Sequence, residues 1–317
     1  MSARARGYLA VTAAAALWGL SGVVAKVLFT QAVAPGALMA VRLTLAFAVG
    51  FLLVALTRPT ALRQAWRHRL PIAVVGLAQL AGSYTYYVTV SLTTVATAIF
   101  LAYLAPVLLV LWERLVERRP LTPWRALAVA VAVAGSYLLV VSPRGLRTTP
   151  AGLLWGVGAA VTFAAHSLLA RRQVVRVDPW AALVLALGVG ALVMSLVAPP
   201  WRTFAADYAP TQWLLFTHLA VLATLVPFGL YLAALRHLSA SEATLAAMLE
   251  PLVAAGAASV LLDEVLTPRQ VLGGALVLLA TGLIQFGPAP GRQPTPYQTS
   301  PPGDTVTGPA GGPVSGR

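Results

Sequence analysis

Apolar residues fall along this chain in runs of about 20, the length a helix needs to cross a hydrocarbon layer of roughly 30 Å, and Arg, Pro or Gly interrupt them. Ten runs fit: residues 8 to 29, 35 to 57, 71 to 90, 96 to 115, 124 to 142, 151 to 170, 179 to 198, 212 to 234, 241 to 262 and 268 to 287. None alternates apolar with polar positions as a barrel strand does. Lipid offers no partner to exposed backbone groups, so such runs are forced into helices. The first follows Arg4 and Arg6 but is full length and lacks a small-residue cleavage site, which predicts an uncleaved first span.

The pattern repeats. A shift of 145 residues lays TVATAIFLAYLAPVLLVLWERLVERRPLTP at 94 to 123 over SASEATLAAMLEPLVAAGAASVLLDEVLTP at 239 to 268, setting Pro106 on Pro251 and Thr122-Pro123 on Thr267-Pro268. Without gaps the same shift pairs Trp18 with Phe163, Lys26 with Arg171 and Tyr86 with Tyr231. One shift for the whole length predicts a duplicated unit. Five spans per copy is an odd number, so the second copy enters the membrane from the opposite side. The expected fold is an all-α integral membrane protein with ten transmembrane helices in two inverted five-helix repeats, residues 1–148 and 149–287.

Arginines set the expected orientation. With the N-terminus in the cytoplasm, Arg58, Arg63, Arg67, Arg69, Arg114, Arg118, Arg119, Arg125, Arg171, Arg172, Arg176 and Arg236 lie inside, against Arg144, Arg147, Arg202 and Arg269 outside. That bias predicts both termini in the cytoplasm. Thr122-Pro123 and Thr267-Pro268 each set an N-cap hydroxyl before a first-turn Pro, a helix start. From residue 288 the apolar pattern gives way to Pro, Gly, Ser and Thr, so 288–317 is expected to be a disordered cytoplasmic tail.

Composition narrows the function classes. Of 317 residues, 59% are hydrophobic and 10% charged, too little polar surface to coat a soluble globule. The net charge of +13 is nearly all Arg, placed between apolar runs rather than along one solvated face. The positive-inside rule accounts for it better than a nucleic-acid partner does. There is no Cys, the four His are scattered, and no His-Glu-X-X-His pattern occurs. Neither a metal site nor a cofactor is therefore expected.

The segments ALWGLSGVVAKVLF at 16 to 29, VRLTLA at 41 to 46, Pro106, and LEPLVAAGAASVLLDEVLTP at 249 to 268 together resemble the EamA-type transporters of the drug/metabolite transporter superfamily. The resemblance covers residues 7 to 287 and implies a secondary carrier that moves small organic metabolites, often amino acids or drugs, outward without ATP. At Arg119 this chain departs from the family pattern, which there carries the Glu that Glu264 supplies in the second repeat.

Several residues could line a pathway. Glu250 falls near the centre of its span, where an ionised side chain costs about 3 kcal/mol on insertion scales. It therefore needs a water-filled cavity, a partner or a proton. It reads either as a contact for a substrate amine or proton, or as a carboxyl held protonated or tied to the helix backbone near Pro251. Pro106 and Pro251 should kink their helices and free the carbonyls of Ala102 and Ala247. Lys26 and Arg42 sit in the outer third of their spans, where they either snorkel or face a substrate carboxylate. Trp18 lies too deep for an aromatic belt. Tyr86 and Tyr231 are matched by the repeat, and His166 lies one turn from Thr162.

The expected function is export of amino acids or related compounds across the cytoplasmic membrane by alternating access, with proton coupling as one arrangement. An uptake carrier or an exporter of cationic drug-like compounds is the alternative. A membrane-embedded enzyme is more distant, because no set of acids, His or Ser converges at one depth. The expected partners are the substrate, the bilayer and, under coupling, protons.

Overall fold

Proline opens eight of the helices, at Pro35, Pro59, Pro123, Pro150, Pro179, Pro200, Pro210 and Pro268. The first turn of a helix wastes no hydrogen bond on a residue that lacks N–H. The structure, a computed structural model, describes residues 2–118, 120–142, 145–146, 148–171, 177–234, 237–238, 246–247 and 249–286. Its helices are α1 (Ala3–Thr30), α2 (Pro35–Thr57), α3 (Pro59–Arg67), α4 (Arg69–Leu92), α5 (Val95–Ala102), α6 (Ala105–Leu115) and α7 (Pro123–Val140). They continue with α8 (Pro150–Arg171), α9 (Pro179–Val197), α10 (Pro200–Thr203), α11 (Pro210–Ala220), α12 (Val226–Ala234), α13 (Leu249–Leu261) and α14 (Pro268–Phe286). A two-residue antiparallel ladder, Val141–Ser142 with Gly145–Leu146, is the only extended pairing among the described residues.

Among the described residues, six stretches are long and apolar enough to cross a membrane: α1 from Ala5, α2, the run Val95–Leu115, α8 to Leu169, α9, and Pro210–Tyr231. Pro123–Leu139, Leu249–Leu261 and Pro268–Leu283 are apolar but shorter. α4 has the length but carries Gln79, Ser83, Tyr84, Thr85, Tyr86 and Tyr87 along it. Large apolar side chains such as Leu56, Leu196 and Val260 stand 75 to 80% exposed. Outward-facing side chains of that kind suit contact with lipid rather than water.

Two expected spans are not single α-helices. The run at 96–115 breaks at Tyr103–Leu104, because Pro106 offers no N–H to Ala102 and its ring crowds that turn. The run at 212–234 passes through a π-helical turn at Val221–Leu225, with the Val226 N–H reaching back to the Val221 carbonyl. Pro227 follows at once, and its missing donor disfavours the ordinary register there. Both expected Thr-Pro starts hold. Thr122 Oγ1 accepts from Arg125 N–H and Thr267 Oγ1 from Gln270 N–H, each at 3.4 Å.

Packing follows the 145-residue shift. α2 packs on α9 and α7 on α14. Leu43 lies against Gly190 and Phe47 against Gly188, while Arg58 pairs with Asp178, so α2 and α9 run antiparallel. α7 and α14 do the same, with Trp124 donating to the Leu283 carbonyl and Arg269 set over the Tyr137 ring. The remaining large contacts come in exchanged pairs: α4 with α8 and α12 with α1, α1 with α13 and α8 with α5 and α6, α4 with α9 and α11 with α2. A two-fold axis lying across the helices generates such a set.

Small residues set the separations. A Cβ added to Gly135 would meet the Gly273 carbonyl oxygen at 2.7 Å, and one added to Gly273 would meet that of Gly135 at the same distance. Backbone touches backbone there. The main buried cluster draws on both halves, from Val23, Met39 and Ile99 to Leu187, Phe216 and Val277. The expected tail at 288–317 lies outside the described residues, as do Arg119, Arg172, Arg176 and Arg236.

Candidate substrate cavity

A cavity of about 400 Å³ opens where the two halves meet. Its wall takes Trp18 and Ser21 from α1, Arg42 from α2, and Gln79, Ser83, Tyr86 and Tyr87 from α4. α5 adds Ile99 and Ala102, the break after it Tyr103, α6 Pro106 and α8 Phe163 and His166, and Ala223, Phe228, Ala247, Glu250 and Thr281 complete it. Mostly apolar walls with a few convergent polar groups suit a small organic ligand.

Arg42 supplies the fixed positive charge. It is 8% exposed, its Nε donates to Thr224 Oγ1 at 3.0 Å, and its Cζ lies 5.0 Å from the centroid of the Tyr87 ring. A guanidinium presents a planar fork of five donors, and Thr224 takes one of them. Thr224 lies in the π-helical turn and its hydroxyl donates to the Leu219 carbonyl at 2.9 Å. The irregular turn thus aims an acceptor at Arg42. Among the described residues no carboxylate stands within ion-pair distance of this guanidinium.

Glu250 supplies the carboxyl. It enters the wall from the first turn of α13, and Tyr103 Oη lies 3.3 Å from its Oε2. The same hydroxyl is 3.3 Å from the carbonyl oxygen of Ala247, the group Pro251 leaves without a helical donor. Each proline-disturbed helix therefore presents its irregular turn to the other. Gly19 and Gly22 on α1 make room, since a Cβ on Gly19 would meet the Glu250 carbonyl oxygen at 2.8 Å and one on Gly22 the Tyr86 hydroxyl at 2.6 Å.

Of the residues singled out in the sequence, the cavity gathers Trp18, Arg42, Tyr86, Pro106, His166 and Glu250. Three stand elsewhere. Pro251 is buried in the first turn of α13. Tyr231 packs behind the wall, its ring centroid 5.8 Å from that of Trp18. Lys26 neither reaches the cavity nor snorkels freely, because its ammonium donates to the carbonyls of Val90 and Thr93 at 2.9 and 2.6 Å. It satisfies the open C-terminal end of α4. Two residues beyond Thr93, Val95 N–H donates to Glu264 Oε2 at 2.8 Å, at the start of α5. Burial raises the Glu264 carboxyl, opposed by that N–H and by Lys26.

Sequence reasoning missed Tyr103, Tyr87 and Thr224. Tyr103 had a faint signal, three residues before a mid-span proline. Thr224 had none, since its role depends on a helical irregularity.

Membrane-length helices paired in exchanged sets around a cavity with one cation and one carboxyl define a polytopic membrane transporter. The sequence profile of the EamA-like transporter family matches residues 5–141 and again 150–286, and the chain belongs to that family. Its relatives include the uncharacterized inner membrane transporter YicL of Salmonella typhimurium, 27% identical over 90% of this chain and 97% of that protein. The threonine/homoserine exporter RhtA of Escherichia coli is 28% identical over 81% of this chain and 84% of its own length. The uncharacterized transporter YwfM of Bacillus subtilis is 25% identical over 90% and 95%. A solved crystal structure, 21% identical, shares the fold with a TM-score of 0.59 over 87% of this chain and 95% of that one. The protein is a membrane transporter rather than an enzyme.

Proposed function

We propose that the protein exports small amino acids or closely related amine-bearing metabolites across the cytoplasmic membrane by alternating access. The observation that carries this reading is the pairing, in one cavity of about 400 Å³, of a guanidinium and a carboxyl that do not pair with each other. Such a wall leaves one charge for each end of a zwitterion. Leaving either charge bare in low dielectric is costly, so a ligand that matches both gains most. The likeness to a threonine/homoserine exporter points the same way.

The reading includes ten spans in two inverted repeats, residues 1–148 and 149–287, with both termini in the cytoplasm. The exchanged antiparallel contacts support it, because a two-fold axis across the helices turns one repeat over relative to the other. Glu250 is the proposed site of proton exchange. A carboxyl that releases its proton to the cytoplasm as substrate binds there, and takes up another from outside as substrate leaves, would drive export by inward proton movement without ATP.

Counterflow in proteoliposomes tests the reading. Vesicles loaded with unlabelled L-threonine should accumulate labelled L-threonine, and tetraphenylphosphonium should compete poorly. Strong competition by tetraphenylphosphonium with none by threonine would favour a carrier of lipophilic cations.

A further inference from the structure

The Tyr103 hydroxyl has one proton and two acceptors. It stands 3.3 Å from Glu250 Oε2 and 3.3 Å from the Ala247 carbonyl oxygen, and a phenol donates fully to only one of them at a time. The acceptors differ in kind. Glu250 Oε2 belongs to the carboxyl in the cavity wall, whereas the Ala247 carbonyl belongs to the backbone just before α13 and lacks a helical donor because residue 251 is proline. Glu250 Oε1 has no hydrogen-bond partner among the described residues. Arg42, Tyr86 and His166 share the cavity but none is within hydrogen-bond distance of Glu250.

We propose that Tyr103 is the positioning residue for the amine end of the substrate, holding Glu250 Oε2 while the cavity is empty and passing to the Ala247 carbonyl when an ammonium group takes the carboxylate. The proposal rests on the amino-acid reading above. An empty site keeps its carboxylate hydrogen-bonded and aimed. A filled site leaves the phenol free, and the carbonyl exposed by the proline receives it, so the phenol and the Glu250 carboxylate each keep a partner in both states. Since Tyr103 lies in the break between α5 and α6, and Ala247 just before α13, the proton's choice links the two proline-disturbed helices across the cavity. Amine occupancy thereby becomes a change in how those helices are joined.

The test uses the full-length protein in proteoliposomes, with L-threonine counterflow inhibited by two compounds: L-threonine itself, and 2,3-dihydroxybutanoate, which replaces the amine with a hydroxyl. In Tyr103→Phe the half-inhibitory concentration of L-threonine should rise about five- to tenfold, because a Glu250 that is no longer held aimed must be ordered at each binding event. That of 2,3-dihydroxybutanoate should stay within a factor of about two, because Arg42 holds the carboxylate end. Tyr103→His, which returns a donor, should recover part of the preference. In a Glu250→Gln background, thermal shift with L-threonine should show no further effect of Tyr103→Phe.

An equal loss for both compounds, an additive loss in the Glu250→Gln background, or a fold defect shared by the Phe and His variants would assign Tyr103 to packing and overturn the proposal. A parent protein that prefers threonine, with a Tyr103→Phe variant that prefers it as strongly, overturns the role of Tyr103 alone. A parent indifferent to threonine overturns the amino-acid reading as well.

Discussion

Arg42 Nε donates to Thr224 Oγ1 at 3.0 Å across 182 positions of sequence, joining the second helix of one half to the π-helical turn of the other. Neither residue explains its own position. An Arg on a membrane-spanning helix is expensive unless it is paired or faces a cavity, and a π turn is rare unless something uses its offset. Together each supplies what the other lacks.

The first prediction concerns this pair. Arg42→Met should abolish counterflow of carboxylate-bearing substrates while membrane insertion survives. Arg42→Lys should not restore it, because an ammonium cannot reproduce the planar fork held between Thr224 and Tyr87. Thr224→Val should weaken transport about tenfold, the cost of one hydrogen bond to a charged group. Initial rates normalised to protein in the membrane would check all three. Parent-like transport in Arg42→Met would remove the carboxylate site.

Glu250→Gln keeps the shape of the side chain and removes its titration. Export driven by an imposed pH gradient should be lost, while equilibrium counterflow, which needs no net proton movement, should partly survive. If the Gln variant still follows the gradient as the parent does, coupling lies elsewhere.

Lys26 separates two roles by charge selectivity. Because its ammonium closes the end of α4 and faces Glu264, Lys26→Met should lower thermal stability by about 1–3 kcal/mol and depress transport of every substrate alike. The sign with pH follows from Glu264. Burial raises this carboxyl, and Lys26 favours its ionised form. The deficit of the Met variant should therefore be smallest at acid pH, where Glu264 is protonated, and grow as pH rises through its titration. A deficit confined to anionic substrates would instead return Lys26 to the pathway.

Gly22→Ala tests the wall. The new methyl would sit 2.6 Å from the Tyr86 hydroxyl and 2.9 Å from Val95 Cγ1. Overpacking of this kind costs about 1–3 kcal/mol, so the variant should melt lower and bind more weakly, because Tyr86 must leave its place in the cavity wall. Tyr86→Phe, which shortens the ring by the clashing oxygen, should recover much of the loss. No change in melting on Gly22→Ala would contradict the packing described.

Much of the helical layout was legible because lipid and the proline side chain act locally. The apolar runs located the helices, and Pro106 marked a broken turn without any knowledge of its neighbours. The cavity was legible only in part, because it is made by contacts across the two halves. The shift that pairs Tyr86 with Tyr231 suggested equal roles for them. However, Tyr86 fits against Gly22, whereas the residue matching Gly22 in the second half is Ser167, whose hydroxyl turns back to the Phe163 carbonyl. Tyr231 packs at a tilt against Trp18 instead. Lys26 was read by depth, and depth cannot reveal that the end of another helix lies within reach.

The exchanged packing also bears on how the chain acquires its structure. α2 closes on α9, α7 on α14, α4 on α8 and α1 on α13, so the broad interfaces join one half to the other rather than elements within a half. A single five-helix unit would leave those faces to lipid and to its own kind. Two separate chains, divided between Ser142 and Pro150, should then assemble into a working carrier when made together, and neither should persist alone. The segment that joins them acts as a tether, raising the effective concentration of one half around the other. A gene encoding only one such unit could build the same shape by pairing two copies head to tail across the bilayer.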